Sequence, residues 1–243
     1  MRDAAVVAHV SVRVLTAGLL VAVLATLGLG ARPVGAAATS PPPLQRQVQA
    51  AWSGMRWTVY AHHDVVDAGA GRYQFDCVGM TNYFLAQGAQ PANDDLRSAL
   101  HVPEGRVPSP ARMASFFGAL PAQGDDHWLP VRSVSAIARG DVLVAPPHAA
   151  GEAGHAAIVA GAPQPQADGT YAVPVYDSTG SPHGSGDTRL SDPRNAAGPS
   201  GRPSGLGSGT MGLAVGPGGV PDHLLWSVGG PSYGGQVQIA RAR

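Results

Sequence analysis

The apolar positions of the chain form one long run near the N-terminus and then short clusters with helix or strand periodicity. The long run, 14–30, follows Arg2 and Arg13 and precedes small residues at 35–38. This layout is typical of a secretory signal, although about 17 apolar residues also reach the lower limit for a membrane-spanning helix. We therefore expect 1–38 to be a signal peptide or an uncleaved N-terminal anchor, and the protein to be secreted or held in the cell envelope.

Three later segments have apolar residues at helical spacing. They lie at 44–57, 77–85 and 110–120. Asp76 and Ser109 precede the second and third segments, and both residue types cap helix N-termini by accepting a backbone N–H hydrogen bond. The pattern therefore predicts three helices, with Cys77 as the first residue of the second one.

Short apolar runs bounded by turn residues follow in the C-terminal half. Runs at 142–145, 155–160 and 171–178 predict consecutive antiparallel strands, and an Asp-Gly turn connects the last two. His155 begins the second strand and Asp177 ends the third, so the two side chains are expected to lie side by side. Further apolar segments predict closing strands at 210–215, 223–228 and 236–240.

The stretch 180–209 consists almost entirely of Gly, Pro, Ser, Asp and Arg. Such a composition cannot form a hydrophobic core, so it predicts a long loop beside the strands, with 205–209 as a flexible turn. Together, these patterns predict a single α+β domain over 39–243, with helices packed on an antiparallel sheet. We expect this domain to be monomeric.

Composition excludes several classes of function. The chain has 16 basic and 16 acidic residues, and every basic residue is Arg. Balanced charge argues against a nucleic-acid partner or a polybasic membrane surface, so membrane contact is expected only through 1–38 if that segment is retained. The lack of Lys excludes Schiff-base chemistry and a phosphate-binding loop.

The single cysteine, Cys77, is unusual in an exported chain because it has no partner for a disulfide. It is a buried core residue, an intermolecular bridge or a nucleophile. The first position of a helix favours the third interpretation, because the helix dipole stabilises a thiolate and lowers the pKa of the thiol. Gly79, one turn later, indicates that another group packs close to the helix backbone.

A thiolate nucleophile needs a base and a group that orients the base. His155 and Asp177 are the candidates, with His183 as an alternative base that could also line the cleft. Hydroxyl groups that could bind an oxyanion or line the cleft come from Tyr60, Tyr73 and Ser178. Asp76, next to the cysteine, is a further candidate for the cleft. For both tyrosines, the alternative is packing in the hydrophobic core.

Metal and serine chemistry are less well supported. The histidines at 62, 63, 148 and 183 and Asp64 show no short metal-ligand spacing with His155, so we predict neither a metal nor a cofactor. The Gly-Ser-Gly at 207–209 is not followed by a helix, as the nucleophile turn of serine hydrolases requires.

Three segments carry a resemblance to a known family: Asp-Cys-x-Gly at 76–79, Arg-Gly-Asp-Val at 139–142 and Gly-His-x-x-Ile-Val-x-Gly at 154–161. Their order resembles the NlpC-type cell-wall cysteine peptidases and the related CHAP amidases, which are papain-like. The resemblance implies Cys77 as nucleophile, His155 as base and Asp177 as its orienting residue, with amide bonds of peptidoglycan as substrate.

Two alternatives keep the same residues. One is acyl transfer to an amine, as in transglutaminases, instead of transfer to water. The other is a non-catalytic wall-binding module, which is suggested by Val78 beside the cysteine, where many members of the family have Ser, and by the long Gly/Pro-rich loop.

Overall fold

A large antiparallel sheet with a layer of helices on one face organises the computed structural model, which describes residues 41–149 and 152–243. The predicted signal peptide or anchor at 1–38 lies outside the described residues. Within those two ranges, no helix is both long and apolar enough to cross a membrane. The predicted α+β class, with helices and an antiparallel sheet, is confirmed.

Four α-helices occur in the described residues: α1 (Pro43–Gly54), α2 (Cys77–Gly88), α3 (Gln90–Ala99) and α4 (Pro110–Ala119). Asp76 caps α2 by accepting a 2.8 Å hydrogen bond from the N–H of Gly79, and Ser109 caps α4 in the same way. The three predicted helices are confirmed to within a few residues, except that α1 stops at Gly54. The polar helix α3 was not predicted.

The strands belong to two sheets. The small sheet contains β1 (Trp57–Tyr60), β2 (Val65–Asp67) and β3 (Arg72–Phe75), in the order β1-β3-β2. The large sheet contains β4 (Trp128–Pro130), β5 (Val142–Ala145), β6 (His155–Val159), β7 (Gln164–Pro165), β8 (Tyr171–Thr179), β9 (Gly205–Val215), β10 (Pro221–Leu225), β11 (Ser232–Tyr233) and β12 (Gln238–Ala242). Its strand order is β11-β10-β9-β8-β6-β5-β12-β4, and β7 pairs with β8.

The centre of the large sheet brings the predicted site residues together. Strands β5, β6 and β8 are antiparallel neighbours, and Ile158 of β6 lies opposite Tyr176 of β8. The predicted three-strand arrangement is therefore confirmed. This register places His155, the first residue of β6, beside the last residues of β8, which include Asp177 and end at Thr179.

Two hydrophobic clusters cover the two faces of this sheet. Ala156 and Ile158 belong to the cluster that includes the helices, whereas Ala157 and Val159 belong to the cluster on the opposite face. Because both faces are covered, β5 and β6 are buried throughout, which explains their continuous apolar sequence. The sheet is therefore a rigid support for side chains at its strand ends.

The predicted loop at 180–209 is wrong at its C-terminal end, because β9 begins at Gly205. A Cβ atom at Gly207 would lie 2.4 Å from Cζ of Arg189, and one at Gly209 would lie 2.6 Å from Oδ2 of Asp187. Side chains from the preceding segment thus lie directly on the strand, where only glycine leaves room for them. The segment 205–209 is a strand and not a flexible turn.

Candidate active site

Cys77 is the first residue of α2, as the sequence predicts, and follows the end of β3, which was not predicted. The hydroxyl of Ser178 donates a 2.7 Å hydrogen bond to the carbonyl of Phe75, which ties β8 to β3 just before the cysteine. The side chain of Asp64 lies against the backbone of α2, because a Cβ atom at Gly79 would meet its Oδ1 at 2.2 Å. The predicted close approach at Gly79 is therefore confirmed. Cys77 is only 7% exposed, yet it lines a surface cavity of about 560 Å³ that His155 also lines.

The predicted lowering of the thiol pKa is wrong. Burial, with a smaller effect of the Asp76 carboxylate, raises the pKa of Cys77 to about 12, although backbone N–H groups of Ala156 and Val78 act in the opposite direction. The free-energy cost of removing water from a thiolate is larger here than the stabilisation that the helix N-terminus provides. Cys77 is therefore a neutral thiol near pH 7.

His155 and Asp177 form the predicted pair. Nε2 of His155 lies 2.7 Å from Oδ2 of Asp177, and both side chains are buried. Because a carboxylate only accepts, Nε2 carries the proton and Nδ1 of His155 is the nitrogen free to act as a base. Burial lowers the pKa of His155, while the Asp177 carboxylate opposes that shift. The ring is therefore neutral near pH 7 and able to take up a proton.

Arg189 binds the second carboxylate oxygen of Asp177 and its backbone carbonyl. Its Nη2 donates to Oδ1 of Asp177 and, at 2.7 Å, to the carbonyl of the same residue. Its Nη1 donates to Asp187 at 2.8 Å, and its Nε donates to the carbonyl of Gly205 at 2.8 Å. Burial alone would raise the pKa of Asp177, but the guanidinium and the two neighbouring histidines hold that pKa well below its usual range. Asp177 is therefore ionised despite being fully buried.

His183 lies behind Asp177 and not in the cleft that the sequence analysis assigned to it. Its Nε2 is 2.7 Å from Oδ2 of Asp177, and its Nδ1 is 2.8 Å from the carbonyl oxygen of Trp226. Both ring nitrogens therefore face hydrogen-bond acceptors within the protein. Both nitrogens are thus occupied, and His183 is not among the residues that line the cavity.

The buried ionic groups of this cluster are paired. Arg189 contacts the carboxylates of both Asp177 and Asp187 at hydrogen-bonding distance, and the rings of His155 and His183 are the further partners of Asp177. A buried ionic group is tolerable only when its partners are present and well placed, and each of these has them.

The group formed by His155, Asp177 and His183 also has the composition of a metal site, since one donor atom from each lies within 4.8 Å of the others. Both Nε2 atoms, however, are 2.7 Å from a single carboxylate oxygen. Ligands of a tetrahedral zinc ion, with bonds of about 2.0–2.1 Å, would lie about 3.3 Å apart. Arg189 also occupies the second oxygen of Asp177. The geometry therefore fits a hydrogen-bonded network and not a metal centre.

Tyr60 is the predicted hydroxyl that the structure places in the cavity. Burial, with smaller effects of Cys77 and Asp76, raises the pKa of Tyr60 above its ordinary value of 10.0. Its hydroxyl consequently stays protonated at any working pH. Tyr60 can therefore donate a hydrogen bond to an oxyanion formed at the cysteine.

The structure places three other predicted residues outside the cavity wall. Tyr73 is buried in the hydrophobic core against Phe75 and Tyr83, because alternate residues of β3 point towards the helices. The hydrogen bonds of Asp76 and Ser178 support the fold, since Asp76 caps α2 and Ser178 links β8 to β3. None of the three lines the cavity that holds Cys77.

Two aromatic residues of the site, Trp226 and Tyr233, were missed by the sequence analysis. The ring centroid of Trp226 lies 5.3 Å from that of His155 and 4.9 Å from that of Tyr233. The hydroxyl of Tyr233 donates to the carbonyl of Gly154, 3.2 Å away. These residues follow β9 by many positions, and no local pattern relates them to His155. Their only signal is an aromatic residue at each end of a Gly-Gly-Pro turn.

The described geometry thus places a cysteine at a helix start and a neutral histidine in the wall of one cavity, with an ionised aspartate bonded to the histidine from behind. Such an arrangement has the parts that nucleophilic catalysis by a thiol requires. Comparison of the chain with protein-family models, with curated proteins and with solved structures finds no match.

Proposed function

We propose that the protein is an exported cysteine hydrolase of the papain-like type that cleaves amide bonds in peptidoglycan peptides. One observation carries the proposal: Cys77, at the start of α2, and His155, bonded to the ionised Asp177, line the same cavity. The resemblance to NlpC-type and CHAP enzymes supports the choice of substrate, and the expected export supports a substrate outside the cytoplasmic membrane.

The first half of the reaction forms an acyl-enzyme. The sulfur of Cys77 attacks the carbonyl carbon while Nδ1 of His155 takes up the thiol proton. The oxyanion accepts hydrogen bonds from the backbone N–H of Cys77 and from the hydroxyl of Tyr60. The new imidazolium is stabilised by Asp177, which already binds its Nε2–H. His155 then gives the proton to the leaving amine as the C–N bond breaks.

The second half returns the enzyme to its starting state. A water molecule gives a proton to His155 and attacks the thioester carbonyl, and the C–S bond breaks to release the acid. The sulfur recovers the proton from His155. If an amine replaces water in this step, the same residues carry out acyl transfer, and the products then contain a new amide.

The resting thiol predicts how alkylation of Cys77 depends on pH. Because the pKa of Cys77 is raised to about 12, the thiolate fraction should grow about tenfold for each pH unit below that value. The rate constant for reaction with iodoacetamide should therefore rise by about that factor per unit between about pH 7 and 9. This rate constant is measured by quenching the reaction at set times and quantifying the alkylated Cys77 peptide by mass spectrometry. A rate that reaches a plateau near neutral pH would instead indicate a preformed thiolate.

Digestion of purified peptidoglycan tests the proposed activity. The wild-type protein should release muropeptide fragments, whereas Cys77→Ala should release none because the nucleophile is gone. Cys77→Ser is the matched control for packing, since it keeps the size of the side chain and replaces the thiol by a far weaker nucleophile. Equal digestion by wild type and Cys77→Ala contradicts the proposal. Mass spectrometry of the products with an added amine distinguishes hydrolysis from acyl transfer.

A second candidate function, a non-catalytic wall-binding module, is favoured by the raised pKa of Cys77. Such a module should be retained on insoluble peptidoglycan without altering it. Retention by both wild type and Cys77→Ala, with no released fragments and with no effect of His155→Ala on thiol labelling, would support this function over catalysis.

A further inference from the structure

The cavity around Cys77 has walls without formal charge. Among the described residues that line it, there is no Lys, Arg, Asp or Glu. Its largest lining side chains are the aromatic rings of Tyr60, Trp226 and Tyr233. Three residues with hydroxyl groups, Thr179, Ser181 and Ser200, also line it. The walls therefore offer apolar surface and neutral hydrogen-bonding groups.

Two carboxylates lie close enough to this cavity to act on groups in its wall. Asp76 raises the pKa values of Cys77 and Tyr60, and Glu152 raises that of Tyr233, so both carboxylates act on the groups at the cavity wall. The carboxylate of Asp177 is balanced by Arg189 on the far side of His155. The guanidinium of Arg189 is fully buried among its own partners and cannot reach a ligand in the cavity.

Histidines supply little positive charge to the cavity. His155 lines it but is neutral near pH 7, because burial lowers its pKa. His62 also lines it, with Nδ1 3.3 Å from Asp76, so any charge on this exposed ring faces a carboxylate. A ligand carboxylate in the cavity would therefore lose water without gaining a cationic partner, which is costly.

We infer that the cavity selects a substrate whose acyl residue carries no negative charge. This residue bears an amide or an apolar side chain, and not a free carboxylate. This inference rests on the proposed function, because Cys77 must be the atom that receives the acyl group. A carboxamide can bind the hydroxyl groups of Tyr60 and Ser181, and an apolar side chain can pack on Trp226. In a peptidoglycan peptide, the acyl residue would then be a neutral or amidated amino acid.

Two alkylating reagents of nearly equal shape test this selection. Iodoacetamide is neutral and iodoacetate is anionic, and each forms a C–S bond with the thiolate of Cys77 as the C–I bond breaks and iodide leaves. The full chain is treated with each reagent at one pH near 8, and an uncharged model thiol gives the intrinsic ratio of the two rates. We expect the ratio of iodoacetamide to iodoacetate to be at least about tenfold higher for Cys77 than for the model thiol.

A substitution in the wall provides the matched comparison. Ser181→Arg places a cation at the cavity, whereas Ser181→Gln adds a side chain of similar length without charge. The ratio of the iodoacetamide rate to the iodoacetate rate should fall close to that of the model thiol in the Arg variant. In the Gln variant it should stay near the wild-type value. A wild-type ratio equal to that of the model thiol, or a ratio that the Arg variant does not change, overturns the inference.

The outcomes separate the inference from the proposed function. If both reagents modify Cys77 without charge preference, and His155→Ala slows both, the nucleophile stands and only the selection of neutral acyl groups fails. If neither reagent modifies Cys77 in the folded protein, the proposed function and the inference fail together.

Discussion

Replacing Arg189 with methionine is expected to lower the free energy of unfolding by about 3–5 kcal/mol. The guanidinium is fully buried and binds the carboxylates of both Asp177 and Asp187. Methionine fills a similar volume but leaves the buried carboxylate of Asp177 without a guanidinium partner, with only the rings of His155 and His183 beside it. Urea denaturation followed by fluorescence measures the change.

Two further variants make this result specific to the buried charge. Arg72→Met removes an exposed Arg that stacks on Trp57, with 4.8 Å from Cζ to the ring centroid, and should cost about 1 kcal/mol or less. The double variant Arg189→Met with Asp177→Asn should recover part of the loss, because the unpaired carboxylate is gone. A loss below about 1 kcal/mol for Arg189→Met would contradict the assigned role of Arg189.

Asp177→Asn is expected to reduce kcat by about 10⁴-fold while the protein stays folded. Arg189 only donates, so the amide oxygen must face Arg189 and the amide NH₂ must face Nε2 of His155. Nε2 of His155 then has to accept, which moves the ring proton to Nδ1. The nitrogen that should take the proton of Cys77 is thereby blocked.

Kinetics on released muropeptides, with the melting temperature as a control, test this expectation. The KM should change little, because Asp177 does not line the cavity. Since the NH₂ of the new Asn can serve both His155 and His183, the loss of stability should be smaller than for Arg189→Met. An unchanged kcat would show that the tautomer of His155 does not limit the reaction.

Local signals were sufficient to predict the part of the site that depends on neighbouring residues. The cap residue Asp76 fixes the start of α2, and the apolar runs with their turns fix β6 and β8, so the positions of Cys77, His155 and Asp177 follow from short segments of sequence. The pairing of adjacent strands then brings His155 to Asp177.

The rest of the site depends on contacts between distant residues. Arg189 lies in a segment whose composition predicts only a loop, and its burial results from polar partners on β8 and β9 and not from an apolar pattern. The pKa of Cys77 was mispredicted for a related reason, because helix position is visible in the sequence whereas the extent of burial is not.

Gly207 has no functional group, yet it limits which sequences can keep Arg189 bound to Asp177. Any side chain there would begin 2.4 Å from the guanidinium carbon of Arg189 and would displace it from Asp177. The next inward position of the strand, Gly209, is under the same restriction through Asp187 and His183. Under the proposed function, a random mutational library should therefore yield inactive variants on β9, at positions that do not line the cavity around Cys77. At these two positions, the absence of a side chain is as necessary for the buried network as the charged groups that form it.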